Sequence, residues 1–131
     1  MTFPLWCLFV AALLLVLTKV PVAMAMARSD GRGYDNRHPR AQQAALTGWG
    51  ARALAAHTNM FEAFPLFAAG VLVTQVTNMH GSTVDVLAGV FIVARVLYTV
   101  LYLADVHVLR SLVWMVGFAV CLALLLMPAL G

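Results

Sequence analysis

Residues 52–67, R-A-L-A-A-H-T-N-M-F-E-A-F-P-L-F, decide how the chain is read. They place Arg52, His57, Asn59 and Glu62 inside or beside one of four long apolar runs. Ionisable and amide groups are costly in hydrocarbon, so in a spanning helix they normally face the bundle interior and mark a site. The remaining sequence supplies the spans that would bury these groups and the side chains that would meet them.

Of the 131 residues, 63% are hydrophobic and only 10% are charged, and the mean hydropathy is +0.94. Soluble domains carry about 25% charged residues, so the composition predicts an all-α integral membrane protein. One domain is expected over residues 1–131, because each span can bury its polar groups only against the others.

Working outward, residues 3–27 are apolar over enough positions to cross about 30 Å of hydrocarbon. Pro4 suits a first helical turn, and Pro21 is expected to kink the helix or mark its end. Lys19 can snorkel to the headgroups. Ala25-Met26-Ala27 resembles a signal-peptidase site, but no positive charge precedes the apolar core and Lys19 interrupts it. The arginines that follow would oppose translocation, so the run is read as an uncleaved span.

Residues 28–46 are hydrophilic and read as a loop, broken by Gly31, Gly33, Asn36 and Pro39. Arg28, Arg32, Arg37 and Arg40 make this loop cytoplasmic by the positive-inside tendency. A basic loop beside spans is a topology signal or a lipid-headgroup contact, so no nucleic acid is expected as partner. The second span covers about 47–77, with Thr47 as N-cap. At about 45 Å it exceeds the bilayer core, leaving Arg52 near the interface and Asn59 and Glu62 deeper. Pro65 should bend it just after Glu62.

The third span covers about 83–104, with Ser82 and Asp85 as a capping pair. The fourth covers about 107–128. The 78–83 turn holds no Lys or Arg, which places it on the opposite side. Both termini then lie outside, in the periplasm if the source is bacterial, with the protein in the inner membrane.

Arg95, Tyr98 and Tyr102 recur at i, i+3 and i+7, stacking on one face of the third helix. Arg52, Asn59 and Glu62 lie close to one face of the second, and Arg110 opens the fourth on the same side. These faces are expected to meet as a net-positive pocket in the cytoplasmic half, suited to an anionic ligand beside lipid. Each residue also has a purely structural reading. Glu62 and Arg95 can neutralise one another as an ion pair. Tyr98 and Tyr102 can be interfacial anchors, and Arg110 one more positive-inside residue. His57 reads as a polar interface residue rather than a metal ligand, because no second His or Cys stands at ligand spacing. Cys7 and Cys121 read as buried free thiols.

On A-H-T-N-M-F-E-A-F-P-L-F (56–67), A-R-V-L-Y-T-V-L-Y (94–102) and L-R-S-L-V-W (109–114), the chain resembles the MAPEG family, the membrane-associated proteins in eicosanoid and glutathione metabolism. The N-x-x-E-x-x-P and R-x-x-[HY]-T-x-x-Y elements are specific together and weak singly. The resemblance covers about residues 1–128, although the first helix matches only in character. It implies a left-handed four-helix bundle that assembles as a homotrimer, with sites between subunits near the cytoplasmic face.

The resemblance further implies that glutathione binds there as cosubstrate. Asn59, Glu62, Arg95, Tyr98 and Tyr102 match family binding positions, and Arg52 matches an arginine one turn before them. Arg110 carries over the role of the arginine that stabilises the thiolate, which attacks a lipophilic small molecule arriving through the bilayer. Position 55 is Ala and position 58 is Thr where enzymatic branches carry arginines, and position 63 is Ala where the leukotriene C synthase branch has Tyr. These departures remove carboxylate clamps. Two readings stay open: a glutathione-dependent transferase or peroxidase, and a non-catalytic member that binds a lipid or an anionic metabolite. A small multidrug-type transporter is a remote third, since such transporters carry their key carboxylate in the first span and this chain has none there.

Overall fold

A computed structural model describes residues 1–130 of the chain. The order of elements is α1 (Phe3–Leu17), α2 (Lys19–Ser29), α3 (Pro39–Ala44), α4 (Gly48–Val76), α5 (Ser82–Leu103) and α6 (His107–Leu130). Helices α1 and α2 together make one candidate membrane span, and α4, α5 and α6 make three more, each long and apolar enough to cross a bilayer.

The break between α1 and α2 falls at Thr18. Pro21 explains it: the ring lacks an N–H and clashes with the carbonyl four residues back, that of Leu17, where α1 ends. The kink therefore lies one turn before the proline. Thr18 turns its hydroxyl onto the Leu14 carbonyl at 2.7 Å, which also accepts from the Thr18 N–H at 3.0 Å. In α4, by contrast, Pro65 lies inside a helix that runs on without interruption for 29 residues.

The hydrophilic segment is more ordered than its glycines and proline suggest. Pro39 occupies the first turn of α3, a six-residue helix that the sequence reading missed, because a proline that breaks a helix interior is well suited to a start. Gln42 pins this segment to the end of α2. Its Nε2 donates to the carbonyls of Met26 (3.1 Å) and Gly33 (2.9 Å), and its Oε1 accepts from the Asp35 N–H. The Asp35 carboxylate accepts from the backbone N–H groups of Arg37 and His38, both at 2.9 Å. The His38 bond leads in holding this carboxyl below its usual range.

At α4, Thr47 takes the extended conformation of an N-cap but makes no side-chain capping bond. At α5 the expected Ser82–Asp85 capping pair does not form. Gly81 is the N-cap at φ 133°, Ser82 is already helical, and Asp85 acts only as a charge in the first turn.

Two helix ends share one stop signal. After α4, Asn78 takes φ 56°, its N–H bonds the Gln75 carbonyl, and the Met79 N–H reaches back to Thr74 at 2.8 Å. After α5, Asp105 takes φ 61°, bonds the Tyr102 carbonyl, and Val106 reaches back to Leu101 at 3.0 Å. Both are Schellman caps, which satisfy the last carbonyls and reverse the chain sharply.

Helix α4 is the hub. It packs against every other helix, whereas α1 and α6 do not touch one another among the described residues. Small residues set the distances. A Cβ on Gly70 would stand 2.9 Å from the Leu124 Cβ on α6, and one on Gly50 would stand 3.0 Å from the Ala25 Cβ on α2. In lipid there is no hydrophobic drive between helices, so such close backbone approach supplies the packing energy. Phe67 and Phe91 stack at 3.9 Å between centroids within a core that includes Met60, Val71, Ala88 and Leu124. The outward faces stay apolar, with Phe9, Val16, Val93 and Leu112 all at least half exposed, as a lipid-facing surface requires.

Candidate functional site

The Schellman turn at Asp105 brings the end of α5 against the start of α6, and the polar residues gather along this seam and its continuation to α4. Tyr98 and Tyr102, one turn apart on α5, meet edge to face with centroids 5.6 Å apart. Arg110, in the first turn of α6, lays its guanidinium over the Tyr102 ring at 4.2 Å. Arg95 lies over Tyr98 at 4.4 Å. The ring faces carry negative quadrupole charge, so each tyrosine holds one cation in place.

Arg95 continues the row onto α4. Its Nη2 donates to Asn59 Oδ1 at 2.8 Å, and Asn59 Nδ2 donates to Glu62 Oε2 at 2.7 Å. The amide orientation follows from its neighbours, since a guanidinium needs an acceptor and a carboxylate needs a donor. Asn59 and Glu62 share the first turn of a polar ladder because they stand three apart on one helix. The direct Glu62–Arg95 ion pair of the structural reading is thus corrected: Asn59 stands between them, and no Lys or Arg lies within ion-pair distance of an Asp or Glu among the described residues.

Burial along this row is uneven. Arg95 is 2% exposed and its Nε has no hydrogen-bond partner among the described residues. Tyr98 is buried, Asn59 and Arg110 are half-buried, and Glu62 is exposed on the surface of the single chain. Removing an arginine from water costs several kcal/mol even after relaxation. One charge-assisted bond and one ring face offset only part of that, and the Nε remains available.

Two recesses flank the row. One, of about 140 Å³, is lined by Asn59, Glu62, Arg95, Trp114, Phe118 and Cys121. The other, of about 220 Å³, is lined by Tyr98, Tyr102, Arg110, Ser111 and Trp114. Trp114 borders both, and its ring stacks on Phe118 with centroids 5.4 Å apart. Six of the seven residues read from sequence as the site therefore lie on one connected row: Glu62, Asn59, Arg95, Tyr98, Tyr102 and Arg110. Arg52 does not join it. It lies two turns back on α4, half-buried, with a buried Nε that has no hydrogen-bond partner among the described residues.

Ser111 and Trp114 were not assigned a role by sequence reasoning. The signal that could have found Trp114 is its position one turn after Arg110, on the same face of α6. Among the described residues no group of His, Cys, Asp and Glu is arranged to hold a metal ion.

Compared with known families, the chain matches the model described as the MAPEG family over residues 3–130. No significant match to a curated protein or to a solved structure was found.

Proposed function

The chain belongs to the MAPEG family and is a multi-pass integral membrane protein, and from that premise we propose that it is a glutathione-dependent transferase or peroxidase acting on lipophilic electrophiles at the cytoplasmic membrane face. The observation that carries this reading is the connected row from Glu62 to Arg110. It offers a carboxylate and an amide at one end and two guanidinium groups with two tyrosines toward the other. Glutathione has matching chemistry: an ammonium for Glu62, carboxylates and amides for Arg95, Asn59 and the tyrosine hydroxyls, and a sulfur for Arg110.

In this assignment Arg110 acts on the reacting atom. A guanidinium beside a sulfur favours the thiolate, raising the nucleophile's population at neutral pH. For an alkyl halide, a C–S bond forms as the carbon–halogen bond breaks; for a nitroaryl halide, the thiolate adds to the ring carbon first and the carbon–halogen bond then breaks. The halide leaves with the electron pair, and the thiol proton has already passed to solvent. Tyr102 holds Arg110 by its ring face, and Trp114 and Phe118 give an apolar electrophile a flat surface.

The same geometry supports assembly as a homotrimer with the site between subunits. Glu62 is exposed on the single chain although it lies within a spanning helix. An ionised group facing lipid is expensive, and a neighbouring subunit would cover it. Each recess is also smaller than the ~300 Å³ at which ligand pockets begin, and a second chain would enclose them as one.

A specific observation favours a second reading, a non-catalytic member binding a lipid or anionic metabolite. Ala55 and Thr58 carry no charge beside Asn59, so the α4 side of the row lacks cations other than Arg52. Isothermal calorimetry with glutathione, followed by turnover of a chlorinated nitroaromatic, separates the two. Binding and turnover are expected, with Arg110→Ala removing most of the rate. Neither binding nor turnover by the wild type would establish the non-catalytic reading.

A further inference from the structure

The largest recess of the bundle lies on the side of α5 away from α4. It measures about 840 Å³, and its walls include Val86, Val90, Val93 and Leu97 of α5, Val116 of α6 and Phe3 of α1. That volume falls within the ~300–1,000 Å³ of small-molecule sites. None of its residues comes from α4, the helix that carries Asn59 and Glu62, and none lies on the Glu62–Arg110 row.

Gly89 opens this recess. At Gly50 and Gly70 a Cβ would crowd a neighbouring helix, but a Cβ on Gly89 would stand 3.6 Å from the Phe3 ring, an ordinary contact. Packing therefore does not demand glycine there, and helix propensity favours alanine. The missing side chain leaves space between α1 and α5.

Depth decides what fits that space. From Asp85 to Leu97 the recess follows α5 for about 18 Å, close to the one leaflet that makes up half of a ~30 Å hydrocarbon core. It stops there although α5 runs on to Leu103, so it is too short for a partner helix that crosses the bilayer. Its rim is built of valines, whereas contacts between spanning helices favour small residues. A single acyl chain matches both the length and the apolar lining.

The end of the recess at the start of α5 is acidic. Asp85 lines it, and also lines an adjoining recess of about 170 Å³ together with Thr2, Gln75 and His80. No Lys, Arg or His side chain stands within ion-pair distance of Asp85 among the described residues. The chain has no Lys or Arg before Lys19, between Arg52 and Arg95, or after Arg110, so this end of the bundle offers the carboxylate no basic partner. His80, which is exposed, is the one other titratable side chain lining the adjoining recess.

A carboxylate without a counter-ion, at the mouth of an apolar slot one leaflet deep, complements a lipid whose head carries positive charge. A primary ammonium fits best, because it brings N–H donors as well as charge, whereas a quaternary ammonium brings charge alone. We propose that this recess binds phosphatidylethanolamine, with one acyl chain beside Gly89 and the ammonium at Asp85.

The test is photolabelling of the purified full chain in detergent micelles. The probe is phosphatidylethanolamine with a diazirine in its acyl chain, and adducts are located by peptide mass spectrometry. They should concentrate at residues 86–97 and 113–116. Unlabelled phosphatidylethanolamine should displace the probe there about fivefold better than phosphatidylglycerol, the weight of one charge at a headgroup surface, and better than phosphatidylcholine. Adducts on the exposed face of α1, at Phe9 and Val16, report bulk lipid and should be displaced equally by all three. Asp85→Asn should remove the preference at the recess, and Asp105→Asn, beyond the other end of α5, should keep it. Gly89→Leu should lower the recess adducts about fivefold and leave those on α1 unchanged. Asparagine has the shape of aspartate, so Asp85→Asn keeps the fold even if Gly89→Leu does not. Labelling spread evenly over α1, α5 and α6, a preference for phosphatidylglycerol, or a preference that survives Asp85→Asn would overturn the site. Equal displacement by phosphatidylethanolamine and phosphatidylcholine would overturn the primary-ammonium assignment in favour of any cationic head.

Discussion

The guanidinium of Arg110 lies over the ring of Tyr102 at 4.2 Å, across the three-residue turn that joins α5 to α6. The contact needs an aromatic face and not a hydroxyl. Tyr102→Phe should therefore keep Arg110 in place, while Tyr102→Leu should release it. Cation–π contacts contribute about 0.5–2 kcal/mol, so Tyr102→Leu should lower kcat/KM with glutathione by between about twofold and thirtyfold. Equal losses in the two variants would mean that the hydroxyl, through glutathione itself, carries the effect.

Asp105 sets the angle of that turn from a left-handed conformation, φ 61°. Glycine adopts it without strain and a β-branched residue does not. Asp105→Gly should change stability by no more than about 1 kcal/mol. Asp105→Val should cost about 1–2 kcal/mol and lower activity as well, because α6 and Arg110 shift together. Thermal unfolding followed by tryptophan fluorescence, paired with turnover, reads both effects.

Asn59 is the bridge between a buried cation and an exposed carboxylate. Asn59→Leu removes the one side-chain hydrogen-bond acceptor that Arg95 has among the described residues, and charge-assisted bonds contribute about 1.5–3 kcal/mol. Stability should fall by that amount, with glutathione affinity falling alongside it. A fully stable Asn59→Leu protein would show that Arg95 finds another acceptor.

Gly70 sits where α4 and α6 come closest, and a Cβ there would meet the Leu124 Cβ at 2.9 Å. Gly70→Ala should therefore destabilise by about 1–3 kcal/mol through overpacking, despite alanine's higher helix propensity. Because the clash is with Cβ itself, adding Leu124→Ala should not relieve it. Chemical unfolding in mixed micelles reads the difference.

Orientation is a separate matter from fold. The positive-inside tendency predicts that the loop around residue 35 is cytoplasmic and the turn around residue 80 is not. Cysteines introduced at these two positions, labelled with a membrane-impermeant maleimide in intact cells, should react only at the second. Labelling at the first alone would invert the topology.

Membrane spans were legible in the sequence because spanning is nearly one-dimensional: an apolar run of sufficient length in a helix satisfies its own backbone. Pro21 announced a kink by the same local logic, and the N-x-x-E-x-x-P and R-x-x-[HY]-T-x-x-Y elements pointed to the family. Periodicity also put Arg95, Tyr98 and Tyr102 on one face of α5, since 3.6 residues per turn needs no knowledge of neighbours. Tertiary structure decided what those faces meet. The placing of α4 against α5 by the Phe67–Phe91 stack, and against α6 by the close approach at Gly70, interposes Asn59 between Glu62 and Arg95 and leaves Arg52 outside the row. Likewise, only folding α3 back beside α2 sets Arg40 next to Lys19 and His57. Contacts between residues distant in sequence depend on helix azimuth and side-chain packing, and no local pattern encodes them.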